Sequence, residues 1–225
     1  MGLILSIDTG TEQAGICLSR GEHTLGILRN DDQKDHASWL HVAIERLMEN
    51  TGFTLKELNA VACNAGPGSY TGLRVGMSAA KGLCYALNIP LITENSLYIM
   101  ALAAQQQPFT KTTYFICPMI DARRSEVFTA MYNQDLEEVM PAFALALDAQ
   151  SFGDQMDKRP VLFLGSGVAK WRLICQHPNA NYLEQPFLAS YLASIAYHKF
   201  SKGQFFPVSA AEPLYLKEFY THKKK

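Results

Sequence analysis

Apolar and polar positions in the first half of the chain alternate between two patterns. Five short apolar runs predict strands, at residues 3–8, 14–19, 23–28, 58–63 and 90–94. Three segments with apolar side chains at helical spacing predict helices, at residues 36–50, 69–87 and 96–107. The predicted order is therefore three strands, then helix, strand, helix, strand and helix.

The pattern restarts after residues 105–109, where Gln-Gln-Gln-Pro-Phe indicates a join between two lobes. Strands are predicted at residues 113–119, 126–132, 137–141 and 161–164, and helices at 147–156, 169–175 and 190–201. The second half is thus a looser copy of the first. We predict an α/β fold with a duplicated βββαβαβα order, in lobes 1–107 and 108–225. This order is that of the actin-like, sugar-kinase and Hsp70 ATPase architecture.

Composition narrows the class of protein. The chain has 225 residues, 48% of them hydrophobic, and a net charge of −1, which argues against a chain that grips nucleic acid alone. Its five cysteines are odd in number and lack Cys-x-x-Cys spacing, so we expect reduced thiols and neither a disulfide framework nor a zinc site. No run of about 18 apolar residues predicts a membrane span. We expect a cytoplasmic protein.

A glycine-rich loop precedes the helix predicted at residues 69–87. Glycine permits positive φ and proline fixes its own φ, so Gly66-Pro67-Gly68 predicts a tight turn. Ser69 or Thr71 then caps the helix, and free amides at a helix N-terminus attract anions. The loop lacks the lysine and the spacing of a P-loop. The candidate nucleotide or phosphate contacts are Asp8, Thr9, Gly66, Gly68, Ser69, Thr71 and Arg74, and the alternative for Asp8 and Thr9 is a capped hairpin turn.

The helix at residues 69–87 is apolar on too many sides for an ordinary surface helix. Its polar side chains Arg74, Ser78 and Lys81 form one narrow stripe, while Gly72, Gly76 and Ala80 form a ridge of small residues. One side therefore covers the sheet of its own lobe. Another helix or another chain is expected to cover the other side.

Five motifs resemble the bacterial TsaB (YeaZ) family over nearly the whole chain. They are Ile-Leu-Ser-Ile-Asp-Thr-Gly-Thr at 4–11, His-Ala-Ser at 36–38, Gly-Pro-Gly-Ser-Tyr-Thr-Gly-Leu-Arg-Val-Gly-Met at 66–77, Asp-Ala-Arg-Arg-Ser-Glu-Val-Phe at 121–128 and Pro-Leu-Tyr-Leu-Lys at 213–217. The resemblance makes Asp121, Arg123 and Glu126 family signature positions, with structural or interface roles as well supported as nucleotide contact.

The resemblance implies a subunit of the machinery that makes N6-threonylcarbamoyladenosine at position 37 of tRNAs reading codons that begin with A. It implies an actin-like paralogue of the catalytic subunit TsaD, which pairs with TsaD, works with the ATPase TsaE and meets tRNA through the complex. ATP or ADP belongs to the complex, and no cofactor is assigned to this chain. TsaD-type proteins carry a metal-binding His-x-x-x-His where this chain has Ser96 and Met100. An alcohol and a thioether do not replace imidazoles, so no metal site and no catalytic residue are expected.

We expect the helices at 36–50 and 69–87 to form the face that packs on TsaD, and on a second copy when the chain is alone. The expected interface residues are Trp39, Val42, Ala43, Gly72, Leu73, Gly76 and Ala80, and a Gly76→Leu change is expected to weaken association. Two alternatives stay open at this point. They are an actin-fold phosphotransferase or ATPase acting on a small molecule, and a glycoprotease-like metallopeptidase, which the missing histidine pair disfavours.

Overall fold

The computed structural model of the chain describes residues 2–32, 36–109, 113–184, 186 and 188–217. Its strands form two five-stranded sheets, one from each half of the chain, and both sheets contain antiparallel and parallel pairs. Within the described residues, no helix is both long enough and apolar enough to cross a bilayer.

The first sheet is built around a central strand that is buried along its whole length. Its strands are β1 (Leu3–Asp8), β2 (Ala14–Arg20), β3 (His23–Asn30), β4 (Ala60–Gly66) and β5 (Leu91–Asn95). They lie in the order β3-β2-β1-β4-β5, and β1 pairs antiparallel with β2 and parallel with β4. Every residue of β1 is buried, which explains the continuous apolar run in its sequence.

Helices cover both faces of this sheet. They are α1 (His36–Thr51), α2 (Tyr70–Leu87) and α3 (Ser96–Gln105). α1 and α2 pack against the face that carries Leu3, Leu5 and Ile7, whereas α3 packs on the opposite face, which carries Ile4. The four apolar positions that place α1 in the core are all buried, at Leu40, Ile44, Leu47 and Met48. Ser69 caps α2, since its side chain accepts a hydrogen bond from the Gly72 amide at 3.3 Å.

The second sheet repeats the strand order of the first. Its strands are β6 (Phe115–Asp121), β7 (Glu126–Tyr132), β8 (Glu138–Ala146), β9 (Val161–Leu164) and β10 (Ala180–Leu183). Taken from β8, their order is β8-β7-β6-β9-β10, which matches β3-β2-β1-β4-β5 position by position. Two helices of this half are short, α4 (Gly153–Lys158) and α5 (Val168–Ile174). The predicted duplicated, actin-like α/β fold is confirmed.

Sequence patterns misplaced several elements of the second half. The strand predicted at residues 137–141 extends over nine residues, and the helix predicted at 147–156 begins only at Gly153. Strand β10 was not predicted at all. It is four residues long and half-buried at the edge of the sheet, so its sequence carries neither an apolar run nor a clear alternation.

The last helix, α6 (Ala189–Ser201), packs on the first sheet although it follows the second sheet in the chain. Its residues Leu192, Ile195 and Ala196 share one apolar core with Ile4 of β1 and with α3. The chain directly after α6 also lies against the first lobe, where the Phe206 amide donates to the Leu91 carbonyl at 2.8 Å. The predicted boundary between lobes 1–107 and 108–225 therefore remains a prediction. It divides the sequence into two halves, but the second half also contributes residues to the core of the first lobe.

Candidate functional site

Gly72, Gly76 and Ala80, the ridge of small residues on α2, pack against their own lobe and do not reach the surface. A Cβ atom on Gly72 would overlap the backbone carbonyl of Thr9, and one on Gly76 would overlap the Thr9 hydroxyl. The Thr9 hydroxyl donates to the Gly72 carbonyl at 2.7 Å, so α2 lies directly on the end of β1. These two glycines permit a close approach between α2 and β1.

This packing corrects most of the expected interface. Gly72, Leu73, Gly76 and Ala80 are buried in the first lobe, and Ala43 is only 2% exposed. Their apolar character therefore belongs to the core. Of the residues expected at the interface, Val42 is 46% exposed and Trp39 is half-buried. Helical spacing identified a close-packed ridge but could not tell which neighbour the ridge packs against.

The outer faces of α1 and α2 instead enclose a groove of about 930 Å³, which we call the α1/α2 groove. On α2, the groove is lined by the small residues Ser78, Ala79 and Gly82. Apolar side chains line the groove at Ile44, Met48, Phe53, Leu55, Val75 and Leu83, and charged or polar ones at His41, Glu45, Glu49 and Arg74. Such an apolar depression with a polar rim is typical of a surface that another protein covers.

A second cavity, of about 580 Å³, lies between the two lobes, and we call it the interlobe cleft. The first lobe contributes the turn at Gly10–Glu12 and the loop at Gly68–Thr71. The second contributes Ile120–Arg123, Phe128 and Ser166. Five predicted positions thus meet in one place, namely Gly68, Ser69, Thr71, Asp121 and Arg123.

Asp8 does not reach the interlobe cleft. Its side chain is buried, and Oδ1 accepts hydrogen bonds from Asn64 Nδ2 at 2.8 Å and from the Gly10 amide at 3.0 Å. Desolvation by burial raises the pKa of Asp8, although both hydrogen bonds oppose the rise. Oδ2 is buried and has no hydrogen-bond partner among the described residues. Asp8 Oδ1 thus fastens the turn after β1.

The remaining predicted anion contacts also lie outside the cleft lining. Thr9 is buried under α2, as described above, and Gly66 is buried at the end of β4. Arg74 is on the outer face of α2, where its guanidinium lies 4.0 Å from the centre of the Tyr70 ring. Arg74 Nε donates to the Tyr215 hydroxyl at 3.0 Å. No sequence signal pointed to that long-range pair.

The second-lobe signature residues form a network along the cleft wall. Asp121 Oδ1 accepts hydrogen bonds from the Arg123 amide at 2.6 Å and from Lys170 Nζ at 2.7 Å. The Asp121 amide donates to Ser166 Oγ at 3.0 Å. Glu126 forms an ion pair with Lys217 of the C-terminal segment. Sequence reasoning missed both lysines, since each is distant in the chain from its partner.

Comparisons with known proteins assign the family. A family model described as TsaD, tRNA N6-adenosine threonylcarbamoyltransferase, matches residues 21–198. The tRNA threonylcarbamoyladenosine biosynthesis protein TsaB of Bacillus subtilis (strain 168) is 36% identical over 166 residues, which are 72% of this chain and 70% of that protein. The chain belongs to the TsaB family of tRNA threonylcarbamoyladenosine biosynthesis proteins.

Two further matches extend this likeness along the chain. TsaB of Escherichia coli (strain K12) is 26% identical over 228 residues, covering 98% of this chain and 97% of that protein. The solved structure of YeaZ from Pseudomonas aeruginosa has a TM-score of 0.82 at 24% identity and covers 96% of this chain and 100% of that chain. The latter match shows that the fold is shared over both lobes.

Ser96 and Met100, which the family resemblance places where TsaD-type proteins carry His-x-x-x-His, are part of the packed core of this chain. Ser96 and Met100 are both 0% exposed. Ser96 Oγ donates to Asn64 Oδ1 at 2.6 Å, and the terminal methyl of Met100 lies against Gly165. Among the residues that the structure describes, no group of three or more His, Cys, Asp or Glu side chains is arranged to hold a metal ion.

Proposed function

We propose that this chain is a non-catalytic subunit that pairs with a TsaD-type threonylcarbamoyltransferase. In this proposal a TsaE-type ATPase works with the pair, and tRNA and ATP or ADP are engaged through the complex. The α1/α2 groove is the observation that carries the proposal. It is an apolar surface on the two helices that the family resemblance associates with pairing.

The apolar lining of the groove can accept large side chains from a partner helix. Full burial of one large aliphatic or aromatic side chain contributes about 1.5–3 kcal/mol, which several such side chains together set against the entropic cost of association. Glu45, Glu49 and Arg74 on the rim can select the register of that partner through charge complementarity. A second copy of this chain would use the same groove when the partner is absent.

Two features of the core support a non-catalytic role. Ser96 and Met100 are fully buried, and the Ser96 hydroxyl donates to Asn64. These two positions therefore serve core packing and do not supply metal ligands. Asp8 is 1% exposed, its Oδ1 holds its own turn, and it is not among the residues that line the interlobe cleft. The second feature also weighs against the small-molecule phosphotransferase alternative.

Gly82→Glu tests the groove with little risk to the fold. Gly82 lines the groove, and a Cβ atom there would meet nothing within 4 Å. A charged side chain at this point would be desolvated by a partner, so we expect affinity for the TsaD-type subunit of the same cell to fall at least about tenfold, or 1.4 kcal/mol. Titration calorimetry and light scattering on mixtures measure the affinity and the stoichiometry.

Gly153→Glu is the matched control, since Gly153 also faces open space but lies in the second lobe. We expect it to bind like the wild type. Unchanged binding by Gly82→Glu would contradict the assignment of the groove. A wild-type chain that formed no complex with the TsaD-type subunit would contradict the proposed pairing itself.

A further inference from the structure

The segment at residues 211–217 runs from the first lobe to the second, and we call it the C-terminal strap. The Ala211 carbonyl accepts a hydrogen bond from Lys81 Nζ of α2 at 2.8 Å. The Leu214 amide donates to the Ala65 carbonyl of β4 at 2.7 Å. The strap is thus fixed to the first lobe by backbone groups at two points.

Tyr215 fixes the strap to α2, next to a residue that lines the interlobe cleft. Its hydroxyl accepts from Arg74 Nε at 3.0 Å, and its ring centre lies 5.5 Å from that of Tyr70. Tyr70 itself lines the cleft, whereas Arg74 lines the α1/α2 groove. Tyr215 therefore contacts one residue from each of the two cavities.

The far end of the strap reaches the second lobe. Lys217 pairs with Glu126 of β7, and the backbone carbonyl of Glu126 also lies 3.5 Å from Lys170 Nζ. Lys170 in turn pairs with Asp121 on the cleft wall. A chain segment anchored on α2 and β4 and then on β7 spans the two lobes and restrains their separation.

We propose that the C-terminal strap holds the interlobe cleft closed, and that an occupant of the α1/α2 groove releases it by taking Arg74. A carboxylate that binds a guanidinium side-on uses Nε and one terminal nitrogen. Such a carboxylate on the groove occupant would replace the Tyr215 hydroxyl at Nε. The second half of the proposal rests on the proposed function, whereas the first half concerns the chain alone.

The first experiment measures lobe separation in the chain alone. Spin labels are placed on the exposed residues Ala86 of α2 and Ala169 of α5, each changed to Cys in a Cys175→Ser background, because the other four cysteines are buried. We expect Tyr215→Phe to raise the open fraction, read by electron spin distance measurements, about fivefold, the factor that one ordinary hydrogen bond contributes. Lys217→Gln is expected to act in the same direction.

Two variants control for general effects of these changes. Tyr191→Phe removes another tyrosine hydroxyl, which accepts from Gln107 Nε2 at 3.0 Å, and Lys199→Gln removes another ion pair, with Glu94. Neither pair touches the strap, so both variants should keep the wild-type distances. If Tyr215→Phe and Lys217→Gln also kept the wild-type distances, the proposal that the strap holds the cleft closed would be wrong.

The second experiment adds the TsaD-type subunit and follows hydrogen exchange at the Leu214 amide. Release predicts faster exchange at Leu214 in the complex, and it also predicts tighter binding by Tyr215→Phe, about fivefold, because coupling between two sites is reciprocal. Unchanged exchange in a complex that forms would overturn release by the groove occupant. Failure to form any complex would count against the proposed function and leave the first experiment valid.

Discussion

Asp8 and Asp121 occupy the same place in the two lobes, at the end of the first strand of each sheet, but their surroundings differ. In both, Oδ1 accepts a hydrogen bond from the amide two residues on, that of Gly10 or of Arg123. Asp8 is 1% exposed and bonded to the neutral amide of Asn64, while the Asp121 side chain is 39% exposed and paired with Lys170.

The helix that follows the fourth strand of each sheet, α2 after β4 and α5 after β9, explains the difference. α2 is 18 residues long and lies directly on Thr9, and so it covers the first turn. α5 has only seven residues and leaves Asp121 at the cleft wall. The equivalent turns of the two lobes thus have different roles. The turn after β1 is part of the core, whereas the turn after β6 carries a surface ion pair.

Moving α2 away from the first turn should have the largest effect. In Gly72→Ala the new Cβ would overlap the Thr9 carbonyl, and because a backbone atom cannot rotate away we expect a loss of about 3 kcal/mol in the free energy of unfolding. Urea denaturation followed by circular dichroism measures the loss. Gly82→Ala, on the same helix but facing open space, should instead gain up to about 1 kcal/mol. Equal stability of the two variants would contradict the close approach of α2 to β1.

Removing each aspartate compares the two turns directly. Asp8→Ala leaves the buried Asn64 and Gly10 donors without their acceptor, so we expect a loss of about 2 kcal/mol. Asp121→Ala removes a partly exposed ion pair and a turn contact, for which we expect less than about 1 kcal/mol. Paired urea denaturation curves test the ranking. The comparison fails if Asp121→Ala proves the more damaging change.

The pH dependence of stability separates the two carboxyl groups further. Because burial raises the pKa of Asp8 in the folded state, the folded chain holds this proton more tightly than the unfolded chain. Stability should therefore fall as the pH rises from the ordinary value of 3.8 through the raised folded value. Asp8→Asn keeps a neutral side chain with an acceptor oxygen and should lose this part of the decline. The measurement is the free energy of unfolding at a series of acid pH values. If it changed with pH equally in the wild type and in Asp8→Asn, the raised pKa of Asp8 would be refuted.

Much of the fold was predictable because its signals are local. β7 and β9 begin and end at the predicted residues, and α1 begins at His36 and ends one residue beyond the predicted end. The glycine turn and its Ser69 cap follow from the conformational limits of single residues. Edge strand β10 escaped prediction because four half-buried residues give no periodic signal.

The candidate site was predictable only in part. Sequence alone selected α1 and α2, and five of the positions that it singled out line the cleft, namely Gly68, Ser69, Thr71, Asp121 and Arg123. The last two were singled out only as signature positions of the family. Sequence could not orient α2, because a ridge of small residues fits its own β1 as well as a foreign helix. It also gave no sign that Arg74 meets Tyr215 or that Glu126 meets Lys217, since such pairs depend on where distant segments cross.

The sequence by itself therefore determined the duplicated α/β order, the family and the two helices that carry the groove. These properties rest on hydrophobic period, turn chemistry and motif identity, all of which act over a few neighbouring residues. Only the tertiary structure decided that Gly72 and Gly76 face inward, that Asp8 is buried, and that α6 returns to the first lobe. Each of these depends on which surfaces exclude water from one another, and that is settled by the packing of the whole chain.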